Sequence, residues 1–220
     1  MRRIASSAVL ALLLAGCGSA ARQDAAEPSG SFQVQITQAS FPARQELSSH
    51  VTLTLAVRNA GSQAIPDLAV TICNVTCHYP APVGEGTSAA AFASNESDTT
   101  LANPSRPVWV VDRPPGPGPC TAPAQGCQSG GAGQYATAYS NTWAIGRPLA
   151  PGATVVFKWG VTAVHAGHFV LAWQVAAGLN GKAKATLASG GQPAGTFAVT
   201  VSNRPQQSYV TDSGQIVTTP

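Results

Sequence analysis

Charge is scarce in this chain: Asp, Glu, Lys and Arg together make up 10% of its 220 residues. No basic run occurs, nor any interleaving of basic with aromatic side chains. The phosphate neutralisation that nucleic-acid binding requires therefore has no donor set, and nucleic acid is excluded as a partner. Long apolar runs are missing as well, since no segment after the N-terminal stretch approaches the roughly 18 apolar residues of a membrane-spanning helix. No window keeps helical apolar spacing for three turns. There is no Gly-x-Ser-x-Gly elbow and no His-Glu-x-x-His helix. Carboxylates are few, and nothing recommends any two of them as a glycosidase-type pair. These shortages predict an all-β protein that is not an enzyme and uses no cofactor.

What is present begins with the N-terminus. "MRRIASSAVLALLLAGCGSA" starts on Arg2 and Arg3, runs apolar from Ala8 to Ala15 and ends in small residues, the pattern of a secretory signal. Leu14-Ala15-Gly16-Cys17 resembles the lipobox of bacterial lipoproteins at all four positions. The resemblance implies cleavage before Cys17, a thioether lipid on its sulfur and acyl chains of the palmitate kind. An anchor of this sort holds by burying methylenes at about 0.8 kcal/mol each. It places the chain at the cell membrane on the extracytoplasmic side. Residues 17–30, small and polar after the cysteine, are expected to act as a flexible tether. Loss of residues 1–16 lowers the basic count from 12 to 10 against 9 acidic residues, so the mature chain is nearly neutral.

Four further cysteines, Cys73, Cys77, Cys120 and Cys127, follow Cys17. Beyond the cytoplasmic membrane an even number of thiols is expected to pair. Three pairings are open: the sequential one closes two small loops, and the others tie distant segments together. Cys73-x-x-x-Cys77-His78 also admits an active reading, as a copper or zinc site or as a thiol-redox pair. Haem attachment is disfavoured, because the spacing is one residue longer than Cys-x-x-Cys-His and Met1, the sole methionine, leaves with the signal. A redox pair would want a strand-helix context, which this all-β pattern does not offer. The staple is the reading that export favours.

Period-2 alternation marks the strands. Phe32, Val34 and Ile36 form one inward set; Val51, Leu53, Leu55 and Val57 another; Leu68, Val70 and Ile72 a third. Later, Val155, Phe157, Trp159, Val161 and Ala163 share a phase with Phe169, Leu171, Trp173, Val175 and Ala177, and Phe197, Val199 and Val201 supply a last strand. Read as a hairpin, the middle two sets require a three-residue loop, His165-Ala166-Gly167, that sets Trp159 opposite Trp173. The same parity chooses a Leu179-Asn180-Gly181 loop that turns Lys182 and Lys184 outward and Ala183, Ala185 and Leu187 inward. The blocks 31–73 and 142–202 amount to one immunoglobulin-like β-sandwich spanning 31–202. The Pro- and Gly-rich stretch at about 74–141 is then a long, irregular, disulfide-bearing insertion with one strand, "PVWVVD". On that division, deletion of residues 85–130 leaves a folded sandwich. The tail, 203–220, admits a minor hairpin or disorder.

The Val-Arg-Asn-Ala-Gly step at 57–61, the Leu-Ala-Pro-Gly turn at 149–152 and the Ala-Gly turn at 166–167 before an aromatic-rich strand resemble CARDB-type domains of bacterial envelope proteins. The likeness covers about half of the mature chain. It implies an extracytoplasmic immunoglobulin-like sandwich and no catalysis. The acidic, Asn-rich stretch that members often carry before their last strand is replaced here by "GLNGKAKATLASGG", without a carboxylate, so no cation site is carried over.

The histidines read as bland: His165 in a loop and His168 on an outward face do not form a chelate, and His50 has no identifiable partner. Of the tryptophans, Trp159 and Trp173 belong to the core, and Trp109 is the candidate for exposure as a sugar-binding surface. The expectation is a lipid-anchored envelope protein with a binding, adhesion or scaffolding role, its partners being the membrane and either envelope proteins or cell-wall glycan.

Overall fold

The computed structural model describes residues 26–74, 77, 92–94, 107–115, 136–137, 142–205 and 207–219. Among them there is no helix. Fourteen strands build two six-stranded sheets and a hairpin: β1 (Gly30–Ser40), β2 (Arg44–Leu47), β3 (His50–Asn59), β4 (Ala69–Asn74), β5 (Phe92–Ser94), β6 (Trp109–Arg113), β7 (Ala136–Thr137), β8 (Thr142–Ala144), β9 (Thr154–Ala163), β10 (Gly167–Ala176), β11 (Ala183–Thr186), β12 (Ala194–Pro205), β13 (Gln207–Val210) and β14 (Ile216–Thr219). The first sheet has the order β11-β1-β3-β9-β6-β5, the second β2-β12-β10-β4-β8-β7. Packed face to face, they form the immunoglobulin-like sandwich that the alternation predicted.

The inward sets meet as expected. Leu53, Leu55, Val57, Phe157, Trp159 and Val161 from the first sheet and Val70, Ile72, Leu171 and Val175 from the second share one buried cluster. Edge strands are short, four residues in β11 and β2 and two or three in β5 and β7, which leaves little open ladder for unwanted pairing.

The β9–β10 hairpin does not form. Trp159 lies opposite Leu53 of β3, whereas Trp173 lies opposite Gly195 of β12 and Ile72 of β4. The chain crosses from one sheet to the other at residues 164–166. Both odd-numbered sets still point inward, because the two sheets face the same core from opposite sides. The even-sum rule binds only strands of one sheet, so it had no force here. The same holds after β10: β11 leaves the second sheet and joins the first, parallel to β1, with Ala183 and Ala185 buried and Lys182 and Lys184 exposed. Leu187 is half-buried.

The stretch between the two strand blocks contributes to the core. β6 pairs with β9, and β5 adds to β6. Trp109, the one candidate for exposure among the tryptophans, is buried, its indole edge-on to Phe41, Phe92 and Phe169 and its Nε1 donating to Gln45 Oε1 at 2.7 Å. Gln45 is on β2, in the opposite sheet, so this bond crosses the sandwich. Deleting residues 85–130 would take Phe92, Trp109 and β6 out of the structure, so a folded remainder is no longer expected.

Strand ends define two poles. Gly30, Asn59, Thr154 and Ala176 end their strands at one pole, Ser40, His50, Ala163, Gly167 and Pro205 at the other. The C-terminal residues form the minor hairpin, β13 with β14, beyond the second pole.

Candidate functional site

Cys17, the expected lipid attachment, lies outside the described residues, as do His78, Cys120 and Cys127. Cys73 and Cys77 are joined by a disulfide, with Sγ atoms 2.05 Å and Cα atoms 5.2 Å apart. That bridge is one of the two in the sequential pairing; the other, Cys120 with Cys127, lies outside the described residues. Cys73 follows the inward Ile72 on β4, opposite Ala172 near the middle of β10, so the bridge sits on the outer side of the second sheet. Bridged sulfurs are not thiolates, and in this form neither can ligate a metal or attack a disulfide. Among the described residues no three His, Cys, Asp or Glu side chains come together as metal ligands.

At the first pole the segment just ahead of β1 is latched. Glu27, within the stretch expected to tether, lies over Gly178 and accepts three backbone N–H groups: Leu179 (2.7 Å) and Asn180 (2.8 Å) on Oε2 and Ala183 (2.8 Å) on Oε1. Burial alone would raise its pKa; the backbone donors of Ala183, Asn180, Leu179 and Lys182 outweigh that and hold the carboxyl below its ordinary value. A carboxylate so engaged serves as a clasp.

Next to it, Asp67 accepts the Gly146 N–H at 2.8 Å. Burial pushes the Asp67 pKa up to about 6, the Gly146 bond opposes that rise, and the negative Glu27 adds to it. The two acids, with Pro66, Arg147, Pro148 and Leu179, line a half-open cavity of about 230 Å³. Neither acid stood out in the sequence. Glu27 sits among small polar residues, and its partners are backbone groups 150 residues away that carry no sequence mark.

Asn59 holds the loops of the same pole. It is fully buried; its Nδ2 donates to the carbonyls of Gln63 (2.8 Å) and Leu149 (2.9 Å), and its Oδ1 accepts from Gly61 N (3.1 Å). The Asn-Ala-Gly step and the Leu-Ala-Pro-Gly turn on which the family resemblance rests are thus in direct contact.

His50, expected to lack a partner, has two. From the start of β3 its Nδ1 lies 3.0 Å from Asp112 Oδ2 on β6 and 2.9 Å from Thr162 Oγ1 on β9. The Thr162 hydroxyl also donates to Asp112. His165 lies against the Phe169 ring and His168 pairs with Thr200 Oγ1 at 3.0 Å, so these two do not converge.

No protein-family model matches the sequence, and no curated protein matches it. Among solved structures the chain is similar to the CARDB domain of a Pyrococcus furiosus protein crystallised with di-metal ions, at 11% identity and a TM-score of 0.34, covering 79% of this chain and 93% of that one. It is also similar to Escherichia coli alpha-2-macroglobulin, at 13% identity and a TM-score of 0.38 over 81% of this chain, which spans only 7% of that protein. The reeler domain of human F-spondin gives 8% identity and 0.32 over 79% of this chain and 91% of that one. The CARDB likeness expected from the turns thus reappears among the folds, but at these values none of the three carries an argument about what this chain binds.

Proposed function

We propose that this chain is a lipid-anchored protein of the bacterial envelope whose immunoglobulin-like sandwich serves a non-catalytic binding or scaffolding role. The observation that carries the reading is the Leu14-Ala15-Gly16-Cys17 sequence, followed ten residues later by the Glu27 clasp. Ten residues reach at most about 36 Å when fully extended. A lipid on Cys17 would therefore keep the Glu27 pole within that distance of the bilayer. The other pole, where β12 ends and the β13–β14 hairpin follows, would face outward toward envelope proteins or cell-wall glycan.

Membrane fractionation and intact mass of the N-terminal peptide test the anchor. The expected result is a chain cut after Gly16, acylated on Cys17 and released into the soluble fraction by Cys17→Ala. Recovery of an uncleaved, unlipidated chain from cytosol overturns the reading. For the binding role, the acylated chain should retain specific envelope components in a crosslinking pull-down.

A further inference from the structure

Residues 26–29, ahead of β1, form a strap across the first pole. Ala26, Pro28 and Ser29 are exposed and Glu27 is half-buried, so the strap buries little apolar surface and is tied down through the Glu27 carboxyl. The seat is cut for that group, since any side chain at Gly178 would collide with it. Asp67 joins the same assembly by two routes. Its backbone N–H donates to the carbonyl of Ala177, next to Gly178, at 3.3 Å, and its side chain lines the cavity that Ala26, Glu27 and Pro28 also line. The two acids are compensated unequally: Glu27 collects the N–H groups of Leu179, Asn180 and Ala183, whereas Asp67 takes that of Gly146. Of the cations at this pole, Arg147 lines the cavity, Lys182 and Lys184 are exposed, and Arg58 donates to the Gly152 carbonyl at 3.3 Å.

We propose that the strap is a pH-operated latch in which Asp67 is the trigger: while Asp67 is neutral the sandwich holds residues 26–29 through Glu27, and when Asp67 ionises the hold slackens. Two carboxylates on one half-open cavity repel, and the one with more backbone donors keeps its charge. Burial pushes the Asp67 pKa up to about 6, the Gly146 bond opposes that rise, and the negative Glu27 adds to it. Coupling between two sites is reciprocal, so a charged Asp67 weakens the Glu27 clasp by the factor with which Glu27 favours the Asp67 proton. Glu27 itself stays ionised down to its lowered pKa. The strap is therefore held most firmly between that value and about 6, and slackens as pH rises through about 6. Slackening opens the cavity on the side of Ala26 and Pro28 and lengthens the free segment ahead of β1.

Carboxyl-carbon resonances and amide exchange of the full chain in detergent, from about pH 4 to about pH 7.5, test the latch, with each exchange rate divided by that of an unstructured peptide at the same pH. Asp67 should titrate near 6, and Glu27→Gln should lower that midpoint. Protection of the Leu179, Asn180 and Ala183 amides should fall several-fold from about pH 5 to about pH 7.5, and should stay high throughout in Asp67→Asn, which keeps an acceptor for the Gly146 N–H. Near-ultraviolet dichroism of the buried tryptophans verifies that each variant is folded. Protection that is flat with pH in the unaltered chain, an equal fall in Asp67→Asn, or an Asp67 midpoint unmoved by Glu27→Gln overturns the proposal.

Discussion

The Asn59 side-chain amide donates to the Leu149 carbonyl at 2.9 Å, joining two turns 90 residues apart in sequence. The same amide also bridges Gln63 and Gly61. Truncation to Asn59→Ala leaves those backbone groups buried without their partner, which costs about 2–4 kcal/mol. Denaturant unfolding should show the loss as a lower midpoint with an unchanged slope. Asn59→Asp should do no better, because a carboxylate can replace the acceptor but neither donor.

Gly195 is opposite Trp173, whose indole lies across it; a Cβ there would stand 2.5 Å from the ring. Gly195→Ala therefore forces the indole out of its place, at about 1–3 kcal/mol. Thermal unfolding reads the loss, and a changed near-ultraviolet tryptophan signal locates it. Gly191→Ala is a poor control, since its φ of 83° is itself strained for alanine. Ala198→Gly, at an exposed site of the same strand, is a better one.

The Glu27 clasp depends on ionisation. Its folded-state pKa is lowered, so its contribution is present above the ordinary carboxylate value and disappears as pH falls through the lowered one. Glu27→Ala should accelerate hydrogen exchange at the amides of Leu179, Asn180 and Ala183 at neutral pH while leaving β3 and β9 protected. Equal exchange in both chains would mean that the clasp does not hold the loop.

Asp67 behaves in the opposite sense. With its pKa raised from 3.8 to about 6, the folded state holds a proton that the unfolded state releases. Stability should therefore fall as pH rises from about 4 to about 6 and level off above it. Part of the carboxyl is open to water, so screening reduces the effect to on the order of 1 kcal/mol. Asp67→Asn keeps an acceptor for the Gly146 N–H and should flatten this segment of the pH–stability curve.

The alternation of Leu53, Leu55 and Val57, or of Trp159 and Val161, was enough to read the fold class and most of the core, because each strand carries its own record of which face is dry. Sheet membership was not recorded there. Trp159 and Trp173 share a phase whether they are cross-strand neighbours or face each other from separate sheets, and the length of the crossover at 164–166 does not distinguish the two. Trp109 was hard to place because proline and glycine surround it, although its immediate "VWVV" context is that of an inner strand. Glu27 and the His50–Asp112–Thr162 triangle were illegible for a different reason. The first is held by main-chain donors, and the second gathers residues of three strands whose order in the sheet the alternation does not record.

Because Glu27, ahead of β1, and the end of β12 at Pro205 occupy opposite poles, traction between them runs along the strands. Ladder bonds lie across that direction and are loaded sideways, many together, so they do not open one at a time like a zipper. Force applied at those two ends would thus be shared by the ladders that flank β1 and β12.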